Sequence, residues 1–126
     1  MTPEKRQHLV LIADDDPDFR MMCAGYLEAR GYLVMTAEDG ARAFDRARSE
    51  SPDVIVMDLA MPRMDGWAAI PRLKAAMETW AIPIIAISGV DSVAARVRAL
   101  GCSAFLAKPC LPELLLWQIR TLLPPA

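Results

Sequence analysis

Val54-Ile55-Val56-Met57-Asp58-Leu59-Ala60-Met61-Pro62 is the stretch that decides the fold. Its first four residues are apolar and mostly β-branched, which reads as a strand buried on both faces of a parallel sheet. The run passes straight into a carboxylate, and Pro62 then breaks the segment. Open α/β folds place their ligand crevice outside the carboxyl ends of the strands. Asp58 therefore stands where a carboxylate nucleophile could accept a phosphoryl group.

The same pattern recurs on either side. Leu9 to Ala13 is a second buried-strand run, and it ends in Asp14-Asp15-Asp16-Pro17. Proline favours the first helical position and aspartate the cap before it, so Asp16-Pro17 reads as a helix start. Asp14 and Asp15 have no such structural task, and adjacent carboxylates repel unless a cation sits between them. The helix that follows puts Phe19, Met22, Cys23, Tyr26 and Leu27 on one face, and Gly31 ends it. Its opposite face, Arg20, Met21, Ala24, Gly25 and Glu28, is small and mildly polar, flat enough for a partner or for ordinary surface. Tyr32 to Met35 reads as a strand, Asp39-Gly40 as a turn, and Ala41 to Ser49 as a helix with its alanines and Phe44 inward.

After Pro62, Met64-Asp65-Gly66 is a loop leading to a helix that runs towards Glu78, with Pro71 kinking it or delaying its start. Ile82 to Ile87 is the fourth strand and ends at Ser88-Gly89. Asp91 or Ser92 is expected to cap a helix with Val93, Val97 and Leu100 inward. Ala104 to Ala107 is the fifth strand and ends at Lys108-Pro109. Pro112 opens a last helix, Glu113 to Leu123, whose Leu114, Leu115, Leu116, Trp117, Ile119, Leu122 and Leu123 exceed what one buried face needs. That surplus leaves room for a partner or a second copy of the chain. Strand and helix alternate five times, which predicts an α/β doubly wound parallel sheet with helices on both faces.

Composition narrows the classes of function. The 126 residues predict one domain with no output domain attached, and 54% are hydrophobic, yet no apolar run has membrane-spanning length. Residues Met1 to His8 lack a hydrophobic signal region, so a cytoplasmic protein is expected. Cys23, Cys102 and Cys110 are irregularly spaced and odd in number, which suits buried free thiols rather than disulfides or a zinc site. Net charge is −2 with no basic run, which argues against direct nucleic-acid binding.

The strand ends collect a coherent set: Asp14 and Asp15 from the first strand, Asp58 from the third, Ser88 from the fourth and Lys108 from the fifth. Clustered carboxylates without Cys or His suit a hard, oxygen-seeking ion, and Mg²⁺ is the usual one where phosphate is handled. Lys108 can pair with a phosphoryl oxygen, and Ser88 can donate a hydrogen bond to another.

These motifs together, Leu11 to Asp16, Val56 to Gly66, Ile84 to Ser88 and Phe105 to Pro109, resemble those of bacterial two-component response-regulator receiver domains, over essentially the whole chain. The resemblance implies a flavodoxin-like (βα)5 fold with strand order 2-1-3-4-5. It implies that Asp58 is the phosphoacceptor, charged from the phosphohistidine of a sensor histidine kinase or a histidine phosphotransfer protein. Asp15, Asp58 and the backbone carbonyl of Ala60 would ligate Mg²⁺ directly, with Asp14 acting through water, and the Lys108-Pro109 peptide would be cis. Ser88 and Phe105 would form the switch that alters the helix four, strand five and helix five face and its contacts with a downstream target. Phe105, having no hydroxyl, reports only by burial, or is simply core. The Ser88 to Lys108 segment is shorter than in most relatives, so the start of helix four is expected to be trimmed. The small Ala60 would leave the phosphoryl group open to water.

Two other readings carry less weight. A receiver-like binding module that is never phosphorylated would usually lack one of the five site groups, and none is missing. A phosphatase of the haloacid-dehalogenase type would use Asp14 and Asp16 as its Asp-x-Asp pair, but no hydroxyl residue follows closely and Asp16 serves better as a helix cap. The chain is thus expected to promote only its own phosphorylation and dephosphorylation.

Overall fold

A computed structural model of the chain describes residues 7–124. Residues 1–6, most of the amino-terminal stretch read above, lie outside them. Five strands, β1 (Leu9–Ala13), β2 (Leu33–Ala37), β3 (Val54–Asp58), β4 (Ile84–Ser88) and β5 (Ala104–Ala107), form one sheet in the order β2-β1-β3-β4-β5. Every pairing is parallel, with Val10 opposite Val54, Asp58 opposite Ile87, and Ser88 opposite Ala107. The helices are α1 (Pro17–Glu28), α2 (Gly40–Glu50), α3 (Gly66–Ala75), α4 (Ala94–Ala99) and α5 (Pro112–Leu122). Among the described residues no helix is long and apolar enough to cross a membrane.

Successive strand residues point to opposite faces, so each central strand feeds two cores. Leu11, Ile55, Met57, Ile84 and Ala86 meet α2, α3 and α4 through Ala43, Ala47, Ile70, Leu73 and Val97. Val10, Ile12, Val54, Val56, Ile85 and Ile87 meet α1 and α5 through Cys23, Leu27, Leu115 and Ile119. Continuous apolar runs were needed to supply both layers, which is why β1, β3 and β4 were legible.

Boundaries shift where local chemistry outweighs the apolar pattern. The second strand starts one residue late and runs to Ala37, because Asp14 donates its N–H to the Ala37 carbonyl at 3.0 Å and prolongs the pairing. Pro71 does not delay α3, which starts at Gly66 with the Asp65 carboxylate accepting from Ala68 N–H at 2.9 Å. Nor does α3 reach towards Glu78. It stops at Ala75, and the buried Thr79 hydroxyl turns back to donate to the Leu73 carbonyl at 2.6 Å. The fourth helix is entered through a 3-10 turn, Asp91–Val93, and its N-cap is Val93, with no side-chain hydrogen bond there, rather than Asp91 or Ser92. Met22, read as inward, is 48% exposed, because Cys23 and Leu27 already fill the sheet-facing row of α1. All three cysteines are buried and free.

Candidate functional site

The carboxyl ends of β1, β3 and β5 converge on one crevice. Asp14 and Asp58 are buried there, and Asp15 is exposed at its rim. Carboxylate oxygens of these three residues lie within 4.8 Å of one another. Asp58 Oδ1 accepts from the Ala60 N–H at 3.1 Å, and its Oδ2 accepts from Lys108 Nζ at 2.9 Å. The same ammonium stands 3.5 Å from Asp14 Oδ2, and the Lys108-Pro109 peptide is cis. Asp14 Oδ1 accepts from the Asp16 N–H at 2.9 Å. Asp16 itself caps α1, accepting from Asp18 N–H at 3.0 Å, as its position before Pro17 predicts. Its carboxylate is therefore engaged at the helix start rather than in an Asp-x-Asp pair.

One lysine serves two buried acids. Burial pushes the Asp14 carboxyl above the usual carboxylate range; the Asp16 N–H and Lys108 oppose this, while the Asp58 charge adds to it. Burial also works against the Lys108 ammonium, but its hydrogen bond to Asp58 and the charges of Asp14 and Asp58 carry it above the ordinary lysine value. Asp14 Oδ2 is buried and accepts no hydrogen bond. Three clustered carboxylates sharing one lysine call for further positive charge, and an all-oxygen donor set fits Mg²⁺. Asp14, Asp15 and Asp58 are the side chains that would hold it.

Ser88 closes β4 one position beyond Asp58's neighbour, and its backbone carbonyl accepts from Lys108 N–H at 2.9 Å. Its hydroxyl accepts from Val90 N–H at 3.0 Å, which leaves the hydroxyl hydrogen free to donate elsewhere. Phe105 sits opposite Ala86 and is half-buried against the α2, α3 and α4 layer.

Several supporting groups gave no pattern in the sequence. The Arg20 guanidinium reaches back from α1 to the Asp14 carbonyl at 2.7 Å. Asp39, read only as part of a turn, is buried at the start of α2, where it accepts from Arg42 N–H and Arg63 Nε, both at 2.8 Å. Gly40 donates to the Met64 carbonyl at 2.7 Å, and a Cβ there would lie only 2.4 Å from that oxygen. At Gly66 a Cβ would stand 2.6 Å from the Asp58 carbonyl. Both glycines are required by close backbone approach. Single residues with long-range partners leave no periodic trace, so only the Asp-Gly turn at 39–40 hinted at any of this.

A parallel sheet in this order, with an acidic crevice at its carboxyl edge, defines a flavodoxin-like α/β domain of the CheY kind. The chemotaxis response regulator CheY4 of Vibrio cholerae superposes with a TM-score of 0.88 at 31% identity, covering 94% of this chain and 100% of that one. The chain belongs to the response regulator receiver domain family, which matches residues 10–120. It is 36% identical to the protein PilH of Pseudomonas aeruginosa over 116 residues, covering 90% of this chain and 96% of PilH. The response regulator MprA of Mycolicibacterium vanbaalenii is 37% identical over 116 residues, 90% of this chain. The chain spans about half the length of MprA, 49%. The receiver domain of a Pseudomonas aeruginosa sensor histidine kinase, solved with a magnesium ion coordinated in its active-site cleft, superposes with a TM-score of 0.83 at 26% identity, covering 92% of this chain and 97% of that one.

Proposed function

We propose that this receiver domain accepts a phosphoryl group on Asp58 from a histidine kinase or a histidine phosphotransfer protein, and that phosphorylation alters its contacts with a target protein. The carrying observation is the Asp58 carboxylate, buried at the end of β3, hydrogen-bonded to Lys108 and clustered with the Asp14 and Asp15 carboxylates. Asp58 attacks phosphorus, the bond from phosphorus to the donor imidazole nitrogen breaks, and that nitrogen keeps the electron pair and takes up a proton. Asp15, Asp58 and the Ala60 carbonyl are the proposed direct Mg²⁺ ligands, with Asp14 acting through water. When bound, Mg²⁺ supplies charge that offsets the phosphoryl oxygens and keeps Asp58 ionised.

The chain's own groups then define the switch. Lys108 exchanges its bond to Asp58 Oδ2 for one to a phosphoryl oxygen. Ser88 donates its free hydroxyl hydrogen to another oxygen and gives up Val90, so the segment leading into α4 shifts. Phe105, packed against that layer, follows by burial. The face of α4, β5 and α5 carries the proposed output, and the exposed Leu111, Leu114 and Trp117 supply apolar surface for a target or a second copy. Turnover occurs on Asp58 alone, with no small-molecule substrate beyond the phosphodonor.

Incubation with acetyl phosphate, with and without Mg²⁺, followed by intact-mass analysis beside Asp58→Ala, tests this. The expected product is a Mg²⁺-dependent, base-labile mass gain of one phosphoryl group, absent from the variant. No gain under conditions that label a control receiver domain would overturn the reading.

A further inference from the structure

The loop between β3 and α3, residues 59–65, joins the phosphoacceptor to the next helix and contains Ala60. At its start Leu59 N–H donates to the Ile87 carbonyl at 3.0 Å, while Leu59's own carbonyl accepts from Gly66 N–H at 3.1 Å. Its far end is held differently. Arg63 has a backbone φ of +63°, the left-handed region that a residue with a Cβ rarely adopts. Its side chain is largely exposed, so burial does not hold it there. Instead its Nε reaches Asp39 Oδ2 at 2.8 Å, on a carboxylate that is buried and fixed at the start of α2 by Arg42 N–H. Next to it the Met64 carbonyl receives the Gly40 N–H at 2.7 Å, with no space for any side chain at Gly40. The α2 start thus grips the loop by one backbone bond and one ion pair, at residues that do not touch the crevice.

We infer that Asp39 and Arg63 are positioning residues that set the Mg²⁺ affinity of the site by holding the loop that contains Ala60. The inference rests on the reading of Asp14, Asp15, Asp58 and Ala60 as the cation site. A backbone carbonyl ligand can be aimed only by ordering its loop, whereas a side-chain ligand can be aimed by its own rotamer. Partners one step removed from a metal commonly tune its affinity by orienting what touches it. Asp39 and Arg63 act on the loop from the α2 side, away from Lys108 and Ser88, so they affect the cation without contacting the phosphoryl group.

Asp39→Asn keeps a capping oxygen for Arg42 N–H and removes the charge. Arg63→Gly removes the ion pair while relieving the left-handed backbone, so both variants remain folded. Each is expected to bind Mg²⁺ about tenfold more weakly by calorimetry. In metal-free protein each should exchange the Ala60 and Met61 amide hydrogens faster, with exchange in the centre of β3 unchanged. Acetyl phosphate labelling should slow at limiting Mg²⁺ and recover at saturating Mg²⁺. The double variant should lose no more than either single one. Unchanged Mg²⁺ affinity and unchanged Ala60 exchange in both variants, with the parent protein labelled normally, would overturn this inference and leave the phosphoacceptor reading intact. A parent protein that is neither labelled nor Mg²⁺-binding would overturn the phosphoacceptor reading and this inference with it, whatever the exchange rates showed of the loop.

Discussion

The buried Asp39 carboxylate accepts two hydrogen bonds, the one from Arg63 being also an ion pair, and its titration shows the result. The Arg42 N–H holds it below the usual carboxylate range; burial opposes, and Arg63 adds to the lowering. A carboxyl group depressed in the folded chain contributes stability that is complete above its unfolded value, about 3.9, and is lost as pH falls through the folded one. Acid unfolding below about pH 4 should therefore be shallower in Asp39→Asn than in the parent, measured by circular dichroism from pH 5 to pH 2. The thiols behave oppositely. Burial pushes Cys23 up to about 12 and Cys102 up to about 11, and raises Cys110 as well. Since the thiolate is the reactive form, all three should react slowly with a disulfide reagent at pH 8 in the native protein and promptly in denaturant. A fast-reacting thiol in the folded chain would contradict this burial.

At the scale of elements, α3 keeps a proline in its interior. Pro71 has no N–H to give the Trp67 carbonyl one turn back, and its exposed ring fills no core space. Interior proline costs about 3 kcal/mol relative to alanine, and the freedom that proline removes from the unfolded chain offsets up to about 1 kcal/mol. Pro71→Ala should therefore stabilise the domain by about 2 kcal/mol, a rise in Tm of roughly 5 to 10 °C by calorimetry. The elements most legible in the sequence were those with the strongest repeating demand. β3 must bury five consecutive residues, and Val54–Asp58 could read as little else. The ends of α3 and α4 were less legible, because they depend on Thr79 reaching Leu73 and on a 3-10 turn before Ala94, neither of which repeats. The six residues of α4 continue directly from that turn.

Across the whole molecule, the crevice was legible because topology does the assembling. Asp14, Asp58, Ser88 and Lys108 are far apart in the chain, yet each ends a strand of one parallel sheet, and parallel order brings strand ends to one edge. What holds that edge in shape, Arg20 on Asp14 and Arg63 on Asp39, runs through individual side chains and needed coordinates. The alternation that built two helix layers has a consequence for how the sequence can change. Leu27 belongs to the α1 and α5 layer and Leu73 to the α3 side, with the backbone of the sheet between them. Leu27→Ala and Leu73→Ala should each cost about 2 to 5 kcal/mol, and their combination should be additive within about 0.5 kcal/mol in chemical denaturation. Leu27 combined with Leu115, in one layer, should depart from additivity. Drift on one side of the sheet is then nearly blind to drift on the other, and one family can diversify two surfaces as separate histories around an unchanged centre.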